Sequence, residues 1–333
     1  MNTQFQDFEK NIIKNYSKDI NNIFMIEDYI ILENLEECNT IISEIFNSEG
    51  EKIINQNNGA FSILINNKFL LIAKKDELIT IFKTIYQFLL FISKNIDSQK
   101  IFILTNLKEI LSLINLVLLF NDNITFYALK KKIFLLVTNK INNNDIIKNL
   151  NLIILSEYHF TCITNKKCRK SSISWDYKYF LFHNFKNDIF FKEKNNEYNS
   201  EYIIFNLLKN ELNIIGINKF IFYNNLFILK DLEIINEINI NQSRNCHMWA
   251  YLRKVYNEEN KEGKILIILY AFLTLRKCCF DYSAFSFIVN SKINIPLNKE
   301  QIKTLIKETS KNSFTIYDDH KCYIDNLEKY LFN

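Results

Sequence analysis

The chain has 333 residues, of which 48% are hydrophobic, and a formal net charge of +4. It contains only 4 glycines and 1 proline, too few for the turns and phosphate loops of barrels, sandwiches and nucleotide-binding sheets, so long helices are favoured. The small net charge gives little support to nucleic-acid binding.

The cysteines and the apolar windows predict a cytoplasmic protein without membrane spans. The 7 cysteines are odd in number and form no CxxC pair, so we interpret them as reduced thiols. The opening residues, MNTQFQDFEK, lack the ordered basic, apolar and cleavage-site segments of a signal peptide. Charged residues interrupt the most apolar windows, 78–92, 101–120 and 265–280, so buried helices are expected there.

The N-terminal part of the chain is expected to be helical with one exception. Residues 8–45 suggest two helices, and helix is expected again from Glu77 to Ser93. Between them, apolar runs flank Asn66 and Asn67, a pattern typical of a β-hairpin with a two-residue turn, although two helical segments would also fit. Residues 101–104 fit either a strand or a helix start.

A capping residue stands four positions before a large aromatic residue, here called the anchor, at four places. A polar side chain at the start of a helix can accept a hydrogen bond from the free backbone N–H groups of the first turn. The pairs are Asn123 and Tyr127, Ser171 and Trp175, Asn245 and Trp249, and Asp281 and Phe285. Apolar segments that could form the first helix of a hairpin precede them, at 107–120, 146–158, 226–240 and 265–280.

These repeats predict a mainly α fold, an α-α superhelix (solenoid) of helical hairpins. We divide the chain into an N-terminal helical cap with a possible β-hairpin, residues 1–100, and one continuous helical array, residues 101–333. An exposed insertion is expected at 185–200, which is rich in Asn, Lys and Glu. Asn298 and Gln301 have the spacing of a capping box before a late helix.

The anchor segments resemble the repeat of protein prenyltransferase alpha subunits. That signature is a proline or polar residue, then Lys-Asn-Tyr or Lys-Ser, then tryptophan and usually arginine. The corresponding segments here are KSSISW at 170–175, RNCHMW at 244–249, DYSAF at 281–285 and NDNITFYALKK at 121–131. The resemblance covers residues 105–290 and is strongest to the divergent repeat-containing branch that acts as an alternative alpha subunit. The arginine expected three residues after the anchor is replaced by Lys178, Leu252 and Ile288.

The resemblance implies a crescent of helices wrapped around a beta subunit in a heterodimer. The beta subunit would hold zinc and the isoprenoid pocket, so no cofactor is expected in this chain. The implied reaction is alkyl transfer from an isoprenoid diphosphate, with geranylgeranyl the expected group, to the sulfur of a C-terminal cysteine in a protein substrate. No nucleic acid and no membrane span are implied.

Four residues are candidates for binding the diphosphate, and no residue is assigned with certainty as catalytic. Lys170 and Arg244 lie five residues before an anchor, where the family's diphosphate-contacting lysine lies, although solvated charges are the alternative. His247 matches a family histidine that could donate a hydrogen bond, or it has a structural role. Tyr282 keeps the family's tyrosine, whereas Cys246 replaces it in the preceding repeat.

Other interpretations of the same residues stay open. The cluster His159, Cys162 and Cys168 lacks standard zinc spacing, so no metal is expected. The basic runs at 166–170 and 130–132 fit exposed turns, or for the first a nuclear-localisation patch. The main rival function is a non-catalytic helical-repeat scaffold or adaptor that binds protein partners, since tetratricopeptide arrays also pair helices. A degenerate family member that binds partners without contributing to catalysis is the third possibility.

Overall fold

The chain forms two compact units, Met1–Lys167 and Cys168–Asn333. A computed structural model describes residues 26–32, 52–57, 60–65, 68–138, 144–168, 171–190, 203–217, 225–241, 245–278, 280–312 and 321–332. The described protein is mainly helical, which confirms the expected fold class at that level. The division of the chain at residue 100 stays a prediction.

A small four-stranded sheet lies in the first unit. Its strands are β1 (Ile26–Leu32), β2 (Lys52–Asn57), β3 (Ala60–Ile65) and β4 (Lys68–Lys74), in the order β1-β4-β3-β2. Strands β3 and β4 are antiparallel, with Ile65 paired to Lys68, so they lie where the sequence predicts the hairpin around Asn66 and Asn67. Strand β1 runs parallel to β4.

The helical prediction for residues 8–45 is wrong at Ile26–Leu32, which is strand β1. This segment, IEDYIIL, is rich in isoleucine and also holds a tyrosine, and such residues fit a pleated, paired surface. Its partner β4 is 36 or more residues away in sequence, beyond the reach of a local pattern. The remaining residues of 8–45 lie outside the described ranges.

Five described helices follow the sheet in the first unit. They are α1 (Lys75–Lys94), α2 (Lys100–Thr105), α3 (Leu107–Phe120), α4 (Ile124–Thr138) and α5 (Asn144–Lys167). Residues 101–104, where the sequence fits a strand or a helix start, lie in helix α2. Helix α3 has the predicted bounds, 107–120. Helix α3 packs against α1, α4 and α5, and its residues 110–118 are all buried. It therefore forms the centre of the helical part of this unit.

The second unit is built around one buried helix. Its helices are α6 (Ser172–Phe190), α7 (Ile203–Ile214), α8 (Leu226–Asn241), α9 (Cys246–Glu258), α10 (Lys261–Lys277), α11 (Tyr282–Asn290), α12 (Lys299–Asn312) and α13 (Lys321–Phe332), with a 3-10 turn at Lys292–Asn294. All residues of α10 from Ile265 to Leu275 are buried. A helix that is apolar on every side must lie inside the protein, and α10 packs against five others: α7, α8, α9, α11 and α12.

The predicted exposed insertion at 185–200 is wrong in its first part. Residues 185–190 are the end of α6, and the side chain of Phe185 is only 3% exposed. Phe185 continues the aromatic face of this helix, since its ring centroid lies 6.1 Å from that of Phe180. The many Asn, Lys and Glu residues of the segment are typical of an exposed loop, so the sequence does not reveal this face. Residues 191–200 lie outside the described ranges.

All four predicted capping hydrogen bonds are confirmed. The Asn123 side chain accepts from the Thr125 N–H at 2.8 Å, and the Ser171 hydroxyl accepts from the Ser174 N–H at 3.1 Å. The Asn245 side chain accepts from the Met248 N–H at 3.1 Å. One Asp281 oxygen accepts from the N–H groups of Ser283 and Ala284, both at 3.0 Å.

The fixed offset between cap and anchor has a backbone origin. The N–H groups of Tyr127, Trp249 and Phe285 donate to the carbonyl oxygens of their own capping residues at 3.3, 3.2 and 3.0 Å. The anchor is therefore the residue that closes the first helical hydrogen bond. The predicted capping box is also confirmed, because the side chains of Asn298 and Gln301 each accept from the other's backbone N–H, at 2.9 and 3.0 Å.

Replacing Asp281 by alanine tests the contribution of a cap. Because Asp281 is buried and satisfies two N–H groups, we expect Asp281→Ala to lower the free energy of unfolding by about 1–2 kcal/mol. Urea unfolding followed by circular dichroism measures this difference. Asp281→Asn is the matched control, since its side-chain oxygen can still accept, and equal losses in both variants would contradict the capping role.

Candidate functional site

The described residues include two of the four diphosphate-binding candidates. His247 lies in the first turn of α9 and is partly exposed, whereas Tyr282 begins α11 and is 63% exposed. Helices α9 and α11 pack against each other. Lys170 and Arg244 lie outside the described residues, and their role stays a prediction.

The four anchors are core residues. Tyr127, Trp175 and Trp249 are each 2% exposed and Phe285 is 8% exposed. The ring of Trp175 lies 5.5 Å from that of Tyr251, and the ring of Trp249 lies 5.3 Å from that of Phe287. Aromatic pairs at these separations add to the stability gained from burial. The anchors therefore fix the positions of their helices.

Lys178, which stands three residues after the anchor Trp175, forms a buried ion pair. Its Nζ lies 2.5 Å from the Asp231 carboxylate, and both side chains are at most 1% exposed. The Tyr251 hydroxyl donates to the same carboxylate at 2.7 Å. A buried charge is tolerated only when it is paired and hydrogen-bonded, so this trio joins α6, α8 and α9.

A second lysine is buried in the first unit, and the prediction of an exposed turn at 130–132 is wrong for it. Lys130 is fully buried and pairs with Glu157 at 2.5 Å, while the Asn115 side chain contacts both groups. Burial lowers the pKa of Lys130. The charge of Glu157 and its hydrogen bond to Lys130 partly offset this effect. Both buried lysines stand three residues after an anchor, a sequence signal that could have identified them together.

A polar network lies on the surface formed by α6 and α9. The Glu258 carboxylate accepts from the Tyr179 hydroxyl and lies 2.8 Å from Nδ1 of His183. Lys254 pairs with Asp176 at 2.8 Å, with both side chains about half exposed. Burial, and to a lesser extent the hydrogen bond to Glu258, raises the pKa of Tyr179 to about 12. Exposed ion pairs of this kind contribute little stability.

A bidentate ion pair ties α7 to the end of α10. The Arg276 guanidinium donates to the two oxygens of Glu211 at 2.6 and 2.9 Å. Glu211 is nearly buried, with 3% of its side chain exposed, and Arg276 is 17% exposed. Planar, bidentate geometry is the strongest form of such a pair, so we assign it a structural role.

The described ranges contain neither a metal-binding cluster nor a membrane-spanning helix. Among the described residues, no group of three or more His, Cys, Asp and Glu side chains is arranged to hold a metal ion. Four described cysteines, Cys162, Cys168, Cys246 and Cys278, are free thiols. Within these ranges no helix combines the length and apolarity that crossing a membrane requires.

The chain matches no protein-family model, no curated protein and no solved structure. What the protein does must therefore be inferred from its own residues and their geometry. In the described part of the chain that geometry consists of capped helix starts, buried ion pairs between helices, and one exposed polar surface.

Alkaline pH should weaken the fold through its buried tyrosines. The Tyr256 hydroxyl donates to the Asn294 carbonyl at 2.8 Å, and burial raises the pKa of Tyr256 to about 12. In the unfolded chain a tyrosine titrates near pH 10, at about its reference value. The folded state therefore keeps this proton where the unfolded state has lost it, and stability that is complete below about pH 10 is lost as pH rises towards about 12.

We expect Tyr256→Phe to reduce the fall in unfolding free energy between about pH 10 and 12. Urea titrations across this range measure the slope for each protein. Tyr282→Phe is the control, because the Tyr282 side chain is largely exposed in the folded protein. A slope that is the same in wild type and Tyr256→Phe would show that Tyr256 is not the source.

Proposed function

We propose that the chain is the alpha-type subunit of a heterodimeric protein prenyltransferase, which scaffolds a beta subunit and helps to bind the isoprenoid diphosphate. The observation that carries this proposal is the recurring helix start. At four positions a side-chain cap is hydrogen-bonded to the first turn, and a buried aromatic anchor follows four residues later. In the sequence these positions lie in the segments that resemble the family signature.

The packing between helices also supports a repeat array. In the second unit the helices that carry anchors are neighbours, since α6 packs against α9 and α9 against α11. The preceding helices α8 and α10 also pack against each other. Stacking of first helices on first helices and second on second is the arrangement of helical-repeat solenoids. Such a stack offers a long surface to a partner subunit.

Helix starts suit the proposed chemistry. When a cysteine thiolate attacks the first carbon of the isoprenoid, the carbon–oxygen bond breaks and diphosphate leaves with the electron pair. Negative charge then grows on the diphosphate, and backbone N–H groups and cations at helix N-termini stabilise it. Lys170 and Arg244 precede α6 and α9 in the sequence, and His247 in the first turn of α9 can donate a hydrogen bond.

Zinc would be held by the beta subunit in this proposal and would activate the thiolate. The role of this chain is then confined to binding and charge stabilisation. Lys178 takes no part in it, because its ammonium is buried in the pair with Asp231. Tyr282 has a largely exposed side chain, which supports contact with either the diphosphate or the partner subunit.

The second candidate is a non-catalytic helical-repeat scaffold. Two observations favour it: the lysine at the family's arginine position is sequestered in the core, and Tyr282 belongs to an aromatic row. The Phe285 ring lies 6.1 Å from that of Tyr282 and 5.9 Å from that of Tyr330, and Tyr330 is 54% exposed. Exposed tyrosines are frequent at protein interfaces.

Transfer assays on a purified heterodimer distinguish the two candidates. The chain is co-expressed with candidate beta subunits, and transfer of labelled isoprenoid to peptides ending in a cysteine motif is measured. Because two cations would be lost beside the diphosphate, we expect Lys170→Ala with Arg244→Ala to reduce turnover by about 100-fold, the scale of losing a charge-stabilising group. The heterodimer should remain intact.

Lys209→Ala with Lys292→Ala is the matched control, since both lysines are exposed and remote in sequence from the anchors' helix starts. It should leave turnover unchanged. A stable heterodimer whose turnover is also unchanged by the Lys170 and Arg244 substitutions would overturn the diphosphate assignment. Stable association without any transfer would support the scaffold instead.

A further inference from the structure

The buried trio of Lys178, Asp231 and Tyr251 occupies fixed positions relative to the anchors. Lys178 stands three residues after the anchor Trp175, Asp231 stands eighteen before the anchor Trp249, and Tyr251 stands two after Trp249. The trio therefore joins the second helix of one predicted hairpin to both helices of the next. Its members touch through the 2.5 Å ion pair and the 2.7 Å hydroxyl bond.

The same three offsets select three apolar residues one repeat later. Leu252 stands three residues after Trp249, Ile267 stands eighteen before Phe285, and Phe287 stands two after Phe285. All three are buried, with 1%, 0% and 0% of their surface exposed. They belong to α9, α10 and α11, which pack against one another. Lysine, aspartate and tyrosine are thus replaced by leucine, isoleucine and phenylalanine, and the last change removes only a hydroxyl.

The first two offsets also hold one repeat earlier, in the other unit. Lys130 stands three residues after Tyr127, and Glu157 stands eighteen before Trp175. These two form a second fully buried lysine–carboxylate pair in the described part of the chain, at 2.5 Å. Asn115 supplies the additional hydrogen bond to this carboxylate, at 2.8 Å. An ion pair at identical offsets in two separate units is evidence of one repeated joint.

We propose that these positions form one joint between successive predicted hairpins, in which a buried ion pair and packed apolar residues can replace each other; we call it the exchangeable joint. It is ionic at the first two junctions and apolar at the third. Its ionic form selects the register of the helices. The physical reason is the asymmetry of buried charge. A buried ion pair is often no more stabilising than a well-packed apolar replacement, but one charge left without its partner is strongly destabilising. A helix that slips or rotates would separate Lys178 from the Asp231 carboxylate with which it pairs in the core.

This proposal does not depend on prenyl transfer, because it concerns packing within the chain. It predicts that the second junction can accept the three residue types found at the third junction. The variant Lys178→Leu, Asp231→Ile and Tyr251→Phe transfers the whole apolar joint. We expect its melting temperature to equal or exceed that of the wild type, measured by circular dichroism on the full chain.

The partial variants should behave differently. Asp231→Ile alone removes the carboxylate that pairs with the buried Lys178 ammonium, and we expect the melting temperature to fall by roughly 10 °C or the chain not to fold. Adding Lys178→Leu and Tyr251→Phe should then restore folding. If the triple variant is as unstable as Asp231→Ile, or if Asp231→Ile has no effect, the exchangeable joint is ruled out.

A control and a reciprocal exchange complete the test. Lys254 and Asp176 also link α9 to α6, but their pair is about half exposed, so alanine at both should change the melting temperature by only about 1–2 °C.

In the reverse direction, Leu252→Lys, Ile267→Asp and Phe287→Tyr together should fold, whereas Leu252→Lys alone should not. Failure of both Leu252→Lys and the full reciprocal variant would contradict exchange at the third junction.

Discussion

The hydrogen bond from a capping side chain to the first turn of a helix is the constraint on which the rest of the structure depends. It satisfies N–H groups that would otherwise have no partner, and in doing so it fixes where each helix begins. At Asn245 and Asp281 the cap also accepts from the anchor's N–H through its own carbonyl. The ring of Trp249 or Phe285 is then directed into the core at a set angle from the helix start.

Features governed by such local bonds could be predicted from the sequence. Caps, anchors and the bounds of α3 and α8 follow from side-chain chemistry and spacing within a few residues. Strand β1 could not be predicted in this way, because its identity depends on pairing with β4. The end of α6 was missed for a related reason, since a polar composition hid the buried face that Phe185 continues.

The candidate site shows the same division between local and distant causes. A lysine is expected on the surface because its charge favours water, and Lys132 follows that rule while Lys130 does not. The buried charge of Lys130 is stabilised by Glu157, 27 residues further along the chain, and that of Lys178 is stabilised by Asp231 on another helix. Only the recurrence of both lysines three residues after an anchor carried that information in the sequence.

Polar groups have particular value in a chain whose helices are so apolar. Helix α10 is buried from Ile265 to Leu275 on every side, so hydrophobic burial does not determine how it is rotated. Its ends do: the Asn260 side chain accepts from the Gly263 N–H at 2.8 Å, and Arg276 binds both oxygens of Glu211. These bonds require one rotation and one register, because any other leaves polar groups buried without partners. Apolar surface therefore supplies the driving force for folding, and the few buried polar contacts select which packing results.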